Sequence, residues 1–389
     1  MSMSRMSARA MHTIEVRLVK TQHYTLNWFR RVGPRTLLRT LRRFRIRLAQ
    51  DRLLNKSLGR NVERLIILLT PGKDIVNGGI MSICSIYEET RTIYQIHGAE
   101  AVMCTVPGDP ILLRYTRFKN SVHLYRFSQV LSHFKNLQHL IVHVPECYPE
   151  QFLKNLDYRD YLHLRKVKRL HFNILLQNID YLSPIAYLQE LAELGRLTFT
   201  TAHDTYTTKE MRNKLGFPMH KLSTFLTPEK YVAKTYREKE DSMIVSPDPH
   251  PSKSRILRMI AEDMPHLRIQ IIQNLKYEEY KELISRAKWA LTFGEGLDGY
   301  FVESVFSGGI SFSVYNPRFF TKDFRPLRTV YDNYDLLAAR ICSDIQKLDS
   351  EPAYATYQQQ QYDLCNKYYS HEQYAKNLQL FYEGKYTYP

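Results

Sequence analysis

Ala287-Lys-Trp-Ala-Leu-Thr-Phe-Gly-Glu-Gly-Leu-Asp-Gly-Tyr-Phe-Val-Glu-Ser-Val-Phe-Ser-Gly-Gly-Ile-Ser311 runs from an apolar stretch through a glycine-bearing loop to a helical pattern and a second apolar stretch. Residues 289–293 read as a buried strand, 294–300 as a loop, 301–306 as the opening of a helix and 310–314 as the next strand. Free backbone N–H groups at such a junction suit a diphosphate, because glycine permits close approach and a helix N-terminus is partially positive.

The same alternation extends in both directions. Upstream lie strands at 242–246 and 268–273, with helices at 254–263 and 277–287. Earlier, Leu65-Ile-Ile-Leu-Leu69 reads as a strand covered on both faces and ends at Thr70-Pro71-Gly72. Further strands are expected at 101–106, 139–144, 169–176 and 197–202, with helices at 82–90, 128–134, 149–156 and 184–194. Alternating β and α units imply open, doubly wound parallel sheets. The charged stretch 224–241, with Pro228, marks the crossing between two of them. The expected fold class is α/β: two Rossmann-like β/α/β domains facing across a cleft, with a basic helical N-terminal extension. The divisions are 1–60 for the extension, 61–225 and 226–370 for the two domains, and 371–389 for a tail.

Glu295 at the strand exit and Glu303 in the following helix are separated by seven residues. Both can reach a crevice at the carboxyl ends of the strands. A nucleotide sugar offers hydroxyls on the transferred sugar and on the ribose, and a carboxylate accepts hydrogen bonds from either. The segment resembles the C-terminal donor site of retaining GT-B glycosyltransferases of the family-4-like, bacterial polysaccharide and lipopolysaccharide type. These carry Glu-x7-Glu followed by a glycine before the next strand, here Gly308 and Gly309. The resemblance implies that Glu295 lies beside the transferred sugar, that Glu303 binds the ribose, and that the amides of Gly296 and Leu297 approach the diphosphate. It also implies retention of configuration. The chain departs from the family at Leu297 and Asp298, and Asp298 sets a negative charge near the phosphates unless it points away.

Other candidates follow the remaining strands. Lys253, at a helix start after Ser246-Pro-Asp-Pro-His250, matches the basic residue with which the resembling family neutralises the diphosphate. Gly78 and Gly79 lie in the first loop of the first domain, where the resemblance implies that the backbone lines the cleft near the transferred group; the competing reading is a glycine turn required only for backbone geometry. His203, followed by Asp204, stands at a strand exit where it could contact sugar or acceptor; the competing reading is an ordinary structural histidine.

The 389 residues are 44% hydrophobic and 12% aromatic, enough to bury a large core, and carry a formal charge of +16. Thirteen basic residues lie between Arg17 and Arg60 against the single acid Asp51, so the excess belongs to the extension. Leu37, Leu41, Phe44 and Leu48 form one helical stripe among arginines, the pattern of a helix that adsorbs to anionic lipid. The alternative is a stripe docked on the protein's own body. Five scattered cysteines without metal spacing suit a reducing compartment, and no apolar run reaches the length of a spanning helix.

The chain lacks Asp-x-Asp, so a metal-bound donor of the GT-A kind is not implied, and Gly-x-Gly-x-x-Gly is missing as well. The expected activity is therefore glycosyl transfer from a nucleotide-sugar donor to a glycan or glycolipid acceptor. The protein is expected to be cytoplasmic, peripheral on the inner face of the membrane through residues 17–60, with no cofactor, metal or nucleic acid. Two other classes remain open: an inactive GT-B-like nucleotide-sugar-binding protein, and a basic nucleic-acid-binding protein.

Overall fold

The computed structural model describes residues 34–58, 62–75, 77–94, 99–117, 122–222, 226, 230–273 and 275–389. The basic residues from Arg17 to Arg31, Arg60 and the side chain of Leu37 lie outside the described residues. The chain divides into two units, residues 1–57 and 58–389. In the first, a helix spans Pro34–Ser57 and begins at the proline, whose fixed φ suits a first helical turn. Leu38, Leu41, Phe44 and Leu48 are exposed along it, as are Arg39, Arg42, Arg43, Arg45 and Arg47, while Gln50 and Leu54 are buried. No described helix is long and apolar enough to cross a membrane.

The second unit contains two sheets. The first comprises β1 (Arg64–Thr70), β2 (Glu100–Thr105), β3 (Leu124–Arg126), β4 (His139–Pro145), β5 (Arg169–Leu175), β6 (Arg196–Thr201) and β7 (Met219–Lys221), all paired in parallel. Their spatial order is β3-β2-β1-β4-β5-β6-β7. β1 is buried from Leu65 to Thr70, as a strand covered by helices on both faces must be. The second sheet comprises β8 (Glu240–Val245), β9 (Arg268–Ile271), β10 (Ala287–Leu291), β11 (Ile310–Val314) and β12 (Val330–Tyr331), in the order β12-β11-β10-β8-β9. Trp289, Phe312, Ile256 and Ile260 build its core, the last two from the inward stripe of helix Lys253–Asp263.

Strand order locates the crevices. Each sheet reverses its direction of growth once, between β1 and β4 in the first and between β8 and β10 in the second. Ligands of open α/β sheets bind at the carboxyl ends of strands flanking such a reversal. The candidate segments after β1, β8 and β10 all lie at these two points.

The last helix, His371–Tyr382, returns to the first sheet. Tyr374 and Leu378 join the core formed by Ile66, Leu68 and Met103. The Tyr382 hydroxyl lies 3.0 Å from His143 Nε2 and 2.7 Å from Thr90 Oγ1. Residues 371–389, read from sequence as a tail, thus form part of the first domain's packing.

Candidate functional site

The loop after β10 is drawn tight from within. Thr292 Oγ1 donates to the carbonyl of Gly296 at 2.8 Å, and Phe293 N donates to Ser246 Oγ at 3.0 Å, tying the two loops at the reversal together. Gly296 takes φ +85°, and a Cβ there would stand 2.8 Å from both Ser313 Oγ and the Val314 carbonyl. Only glycine fits that position. Gly296 and Leu297 are buried, and Leu297 packs with Phe301, Phe320 and Phe324.

Glu295, between Gly294 and Gly296, is turned out to solvent. The surrounding wall nevertheless raises its pKa by desolvation, Asp248 adds to this, and the Asn178 side chain, close enough to favour the ionised carboxylate, opposes it. Asn178 belongs to the other domain, just beyond β5. Its amide oxygen accepts from Asp180 N at 3.0 Å, which leaves the NH2 group for Glu295. The Asn178 backbone N–H donates to Glu146 Oε1 at 3.1 Å. Next to it, Gln177 Nε2 donates to the Gly79 carbonyl at 3.4 Å. One turn of chain thereby joins Gly79, Glu146 and Glu295.

Glu146 follows β4 directly and is buried. Desolvation raises its pKa to about 7, backbone hydrogen bonds from its own amide, Asn178 and Gln177 oppose this, and Glu295 adds to it. Sequence reasoning missed Glu146 and Asn178.

Asp298 caps helix Gly299–Phe306, accepting from Phe301 N at 3.0 Å. Its charge thus turns onto the helix N-terminus that a phosphate would otherwise occupy. Desolvation first, then the neighbouring carboxylates Asp248, Glu295 and Glu303, hold its pKa well above the ordinary value.

Glu303 has surroundings unlike those of Glu295. It is 4% exposed, beneath Gly299, and accepts from the Tyr231 hydroxyl at 2.7 Å. The buried Tyr280 hydroxyl lacks a well-formed hydrogen bond yet lies close enough to favour the ionised carboxylate. Desolvation outweighs both tyrosines and Lys281, and the Glu303 pKa rises to about 7.

Lys253 is bonded to protein carbonyls, donating to Ser246 O and, at 3.0 Å, to Asp248 O, with its amine 5.4 Å from the Phe293 ring centre. Desolvation lowers its pKa. Gly78 opens helix Gly78–Tyr94 with nothing within 4 Å of a Cβ position, whereas a Cβ on Gly79 would meet Gln177 Oε1 at 2.7 Å. Neither glycine has positive φ, so the turn itself does not demand them.

His203 sits farther along the domain junction, edge-on to Tyr206 at 5.2 Å and to Phe319 of the second domain at 5.4 Å. A cavity of about 220 Å³ there is lined by His203, Lys221, Leu297, Phe319 and Tyr368 among others. Nearby, Arg318 Nη1 pairs with Asp180 Oδ2 at 2.5 Å and Thr205 Oγ1 donates to the Arg318 carbonyl at 2.7 Å. These bonds hold the two domains together beside Asn178.

No protein-family profile matches the chain, and no curated protein matches it. Solved structures do. HepE of Anabaena in complex with UDP-glucose superposes with a TM-score of 0.54 at 9% identity, over 82% of this chain and 99% of that one. TarM superposes with a TM-score of 0.52 at 9% identity, over 85% of this chain and 100% of that one. The fold is GT-B. At this identity the likeness is one of architecture, and the chemistry rests on the residues themselves.

The Glu303 environment makes a prediction about pH. Its folded pKa lies above the unfolded value, so the fold loses stability as this carboxyl ionises between about pH 4.5 and 7 and loses no more above that. Glu303→Gln removes this ionisation and keeps an acceptor for Tyr231. Its thermal midpoint should gain on wild type across that window and then run parallel. Glu303→Ala leaves the Tyr231 hydroxyl only the Tyr277 hydroxyl, 3.3 Å away, and should cost about 1–3 kcal/mol in urea unfolding. A Glu303→Gln offset that does not vary with pH would refute the assignment.

Proposed function

We propose that the protein is a glycosyltransferase that moves a sugar from a nucleoside-diphosphate donor to a lipid-linked or polysaccharide acceptor in cell-surface glycan synthesis. The observation that carries this reading is the convergence of the two reversal points. Glu295 emerges from one, Gly79 and Glu146 from the other, and Asn178, bonded to Glu146, lies beside Glu295. Two walls rich in hydrogen-bond acceptors suit a polyhydroxylated substrate held between them. HepE, of the same fold, binds UDP-glucose. In this reading Glu295 holds hydroxyls of the transferred sugar, and the loop 294–297 with Lys253 faces the diphosphate. For Glu303 to hold the ribose, its carboxylate must exchange a tyrosine hydroxyl for a ribose hydroxyl. His203 contacts the acceptor side of the junction. The exposed stripe of helix Pro34–Ser57 rests on anionic lipid, which keeps the enzyme beside a membrane-borne acceptor.

The crowding of Asp248, Glu295 and Asp298 favours a second reading, an inactive nucleotide-sugar-binding protein, since carboxylates oppose a diphosphate. Both readings predict donor binding, tested by thermal shift with UDP-, GDP-, dTDP- and CMP-sugars. A donor at 100 times its dissociation constant should stabilise the protein by about 2.7 kcal/mol. The shift should grow as pH falls, because burial and neighbouring carboxylates raise the Glu295 and Asp298 pKa values and a diphosphate binds best once those two carboxyls hold protons. No shift with any donor rejects both readings, and release of free nucleotide from the bound donor rejects the inactive one.

A further inference from the structure

Glu146 has no role in the reading above, yet its setting is that of a reacting group. It stands directly after β4, one of the two strands flanking the reversal of the first sheet. The backbone amide of Asn178 donates to its carboxylate at 3.1 Å, and the side chain of that same residue lies beside Glu295. Among the described residues no lysine, arginine or histidine forms an ion pair with it. A buried carboxylate without a cationic partner is costly and serves nothing in packing. Carboxyls held in this way cluster where proton transfer is needed.

We propose that Glu146 is a catalytic residue: it takes the proton of the attacking hydroxyl as the sugar is transferred. This rests on the glycosyltransferase reading. The acceptor oxygen bonds to the anomeric carbon, and the bond from that carbon to the donor phosphate breaks. Its electron pair leaves on the nucleoside diphosphate, and the hydroxyl proton moves to the Glu146 carboxylate.

Two features support the role. A pKa of about 7 suits a general base at neutral pH. The carboxylate also lies on the first-domain wall, whereas the loop assigned to the diphosphate belongs to the second. A single displacement by an oxygen activated there, with no covalent intermediate and no part for the donor phosphate as base, gives a product of inverted configuration. This departs from the retention that the sequence resemblance implies, in which the donor phosphate itself serves as the base.

Hydrolysis of the donor tests the proposal without knowledge of the acceptor, since water is then the attacking hydroxyl. The probe is whichever of the four nucleotide sugars stabilises the wild-type protein. Glu146→Gln keeps the acceptor for Asn178 N–H and removes the base. Its turnover should fall by about 100-fold or more with donor affinity unchanged within threefold. The wild-type rate should rise with pH through about 7, and this limb should vanish in Glu146→Gln. Glu146→Asp should retain the limb at a reduced rate. The first sugar anomer released, followed by proton NMR before mutarotation, should be inverted. An undiminished Glu146→Gln rate overturns the proposal, as does a retained anomer. So does a loss of rate that tracks loss of donor affinity and thermal stability in both variants, which marks a structural role. Failure of every donor to bind wild type instead defeats the glycosyltransferase reading, and the proposal falls with it.

Discussion

Glu295→Ala is expected to lower turnover by about 100-fold or more while leaving nucleotide affinity within about threefold and the thermal midpoint nearly unchanged. The carboxylate emerges from a loop whose shape is set by Gly294, Gly296 and the Thr292–Gly296 hydrogen bond, none of which involves its side chain. Folding should therefore tolerate the loss. Transfer should not, because the contacts assigned to Glu295 are with the sugar in motion rather than with the nucleotide. An interaction made chiefly in the transition state lowers kcat and kcat/KM together and spares ground-state binding. A Glu295→Gln variant keeps an acceptor for sugar hydroxyls and loses the charge, so its turnover should lie between those of Ala and wild type. Activity near the wild-type level in Glu295→Ala, with the fold intact, would show that the transferred sugar sits elsewhere.

The two glutamates show what a sequence can and cannot disclose. Their spacing and the strand-loop-helix junction are legible, since β10 is apolar but for Lys288 and glycines flank Glu295. The burial of Glu303 carries a signal too. Four of the six residues of Phe301-Val-Glu-Ser-Val-Phe306 are apolar, so little of that helix surface suits water. The partner that fixes its carboxylate was not legible, because Tyr231 lies 72 positions away and meets it only through the fold.

Glu146 illustrates a different limit. The strand before it reads clearly from His139 to Val144, but its importance comes from strand order. Nothing local in the chain says that β4 lies beside β1 rather than beyond β3. The three shortest strands, β3, β7 and β12, were missed for a related reason. Leu124–Arg126, Met219–Lys221 and Val330–Tyr331 are edge strands of two or three residues. They have no periodicity of their own and depend on distant segments for their hydrogen bonds, β7 on β6 and on Tyr388. Helix Tyr158–Leu164, with Asp157 capping Arg159 N and Asp160 N, is likewise a single pair of turns whose cap is visible only once the turn exists.

Removing residues 1–48 is expected to abolish sedimentation with anionic vesicles while leaving donor binding and donor hydrolysis intact. The cut takes away the exposed apolar residues Leu38, Leu41, Phe44 and Leu48 and the ten basic residues from Arg17 to Arg47, and spares the buried Gln50 and Leu54. Apolar insertion and Coulomb attraction act together in such a helix, each basic residue near an anionic surface contributing on the order of 1 kcal/mol. Full-length protein should therefore bind vesicles containing phosphatidylserine, release progressively as salt shortens the Debye length, and ignore neutral phosphatidylcholine. Leu41→Glu with Phe44→Glu tests the apolar half separately. That pair adds two like charges where the stripe would enter the lipid and should weaken binding even at low salt. Undiminished vesicle binding by the truncated protein would place the membrane surface elsewhere, and its aggregation or unfolding would show that the stripe serves the protein's own body. Binding that survives the Glu pair but fails at high salt would make the helix a purely electrostatic anchor.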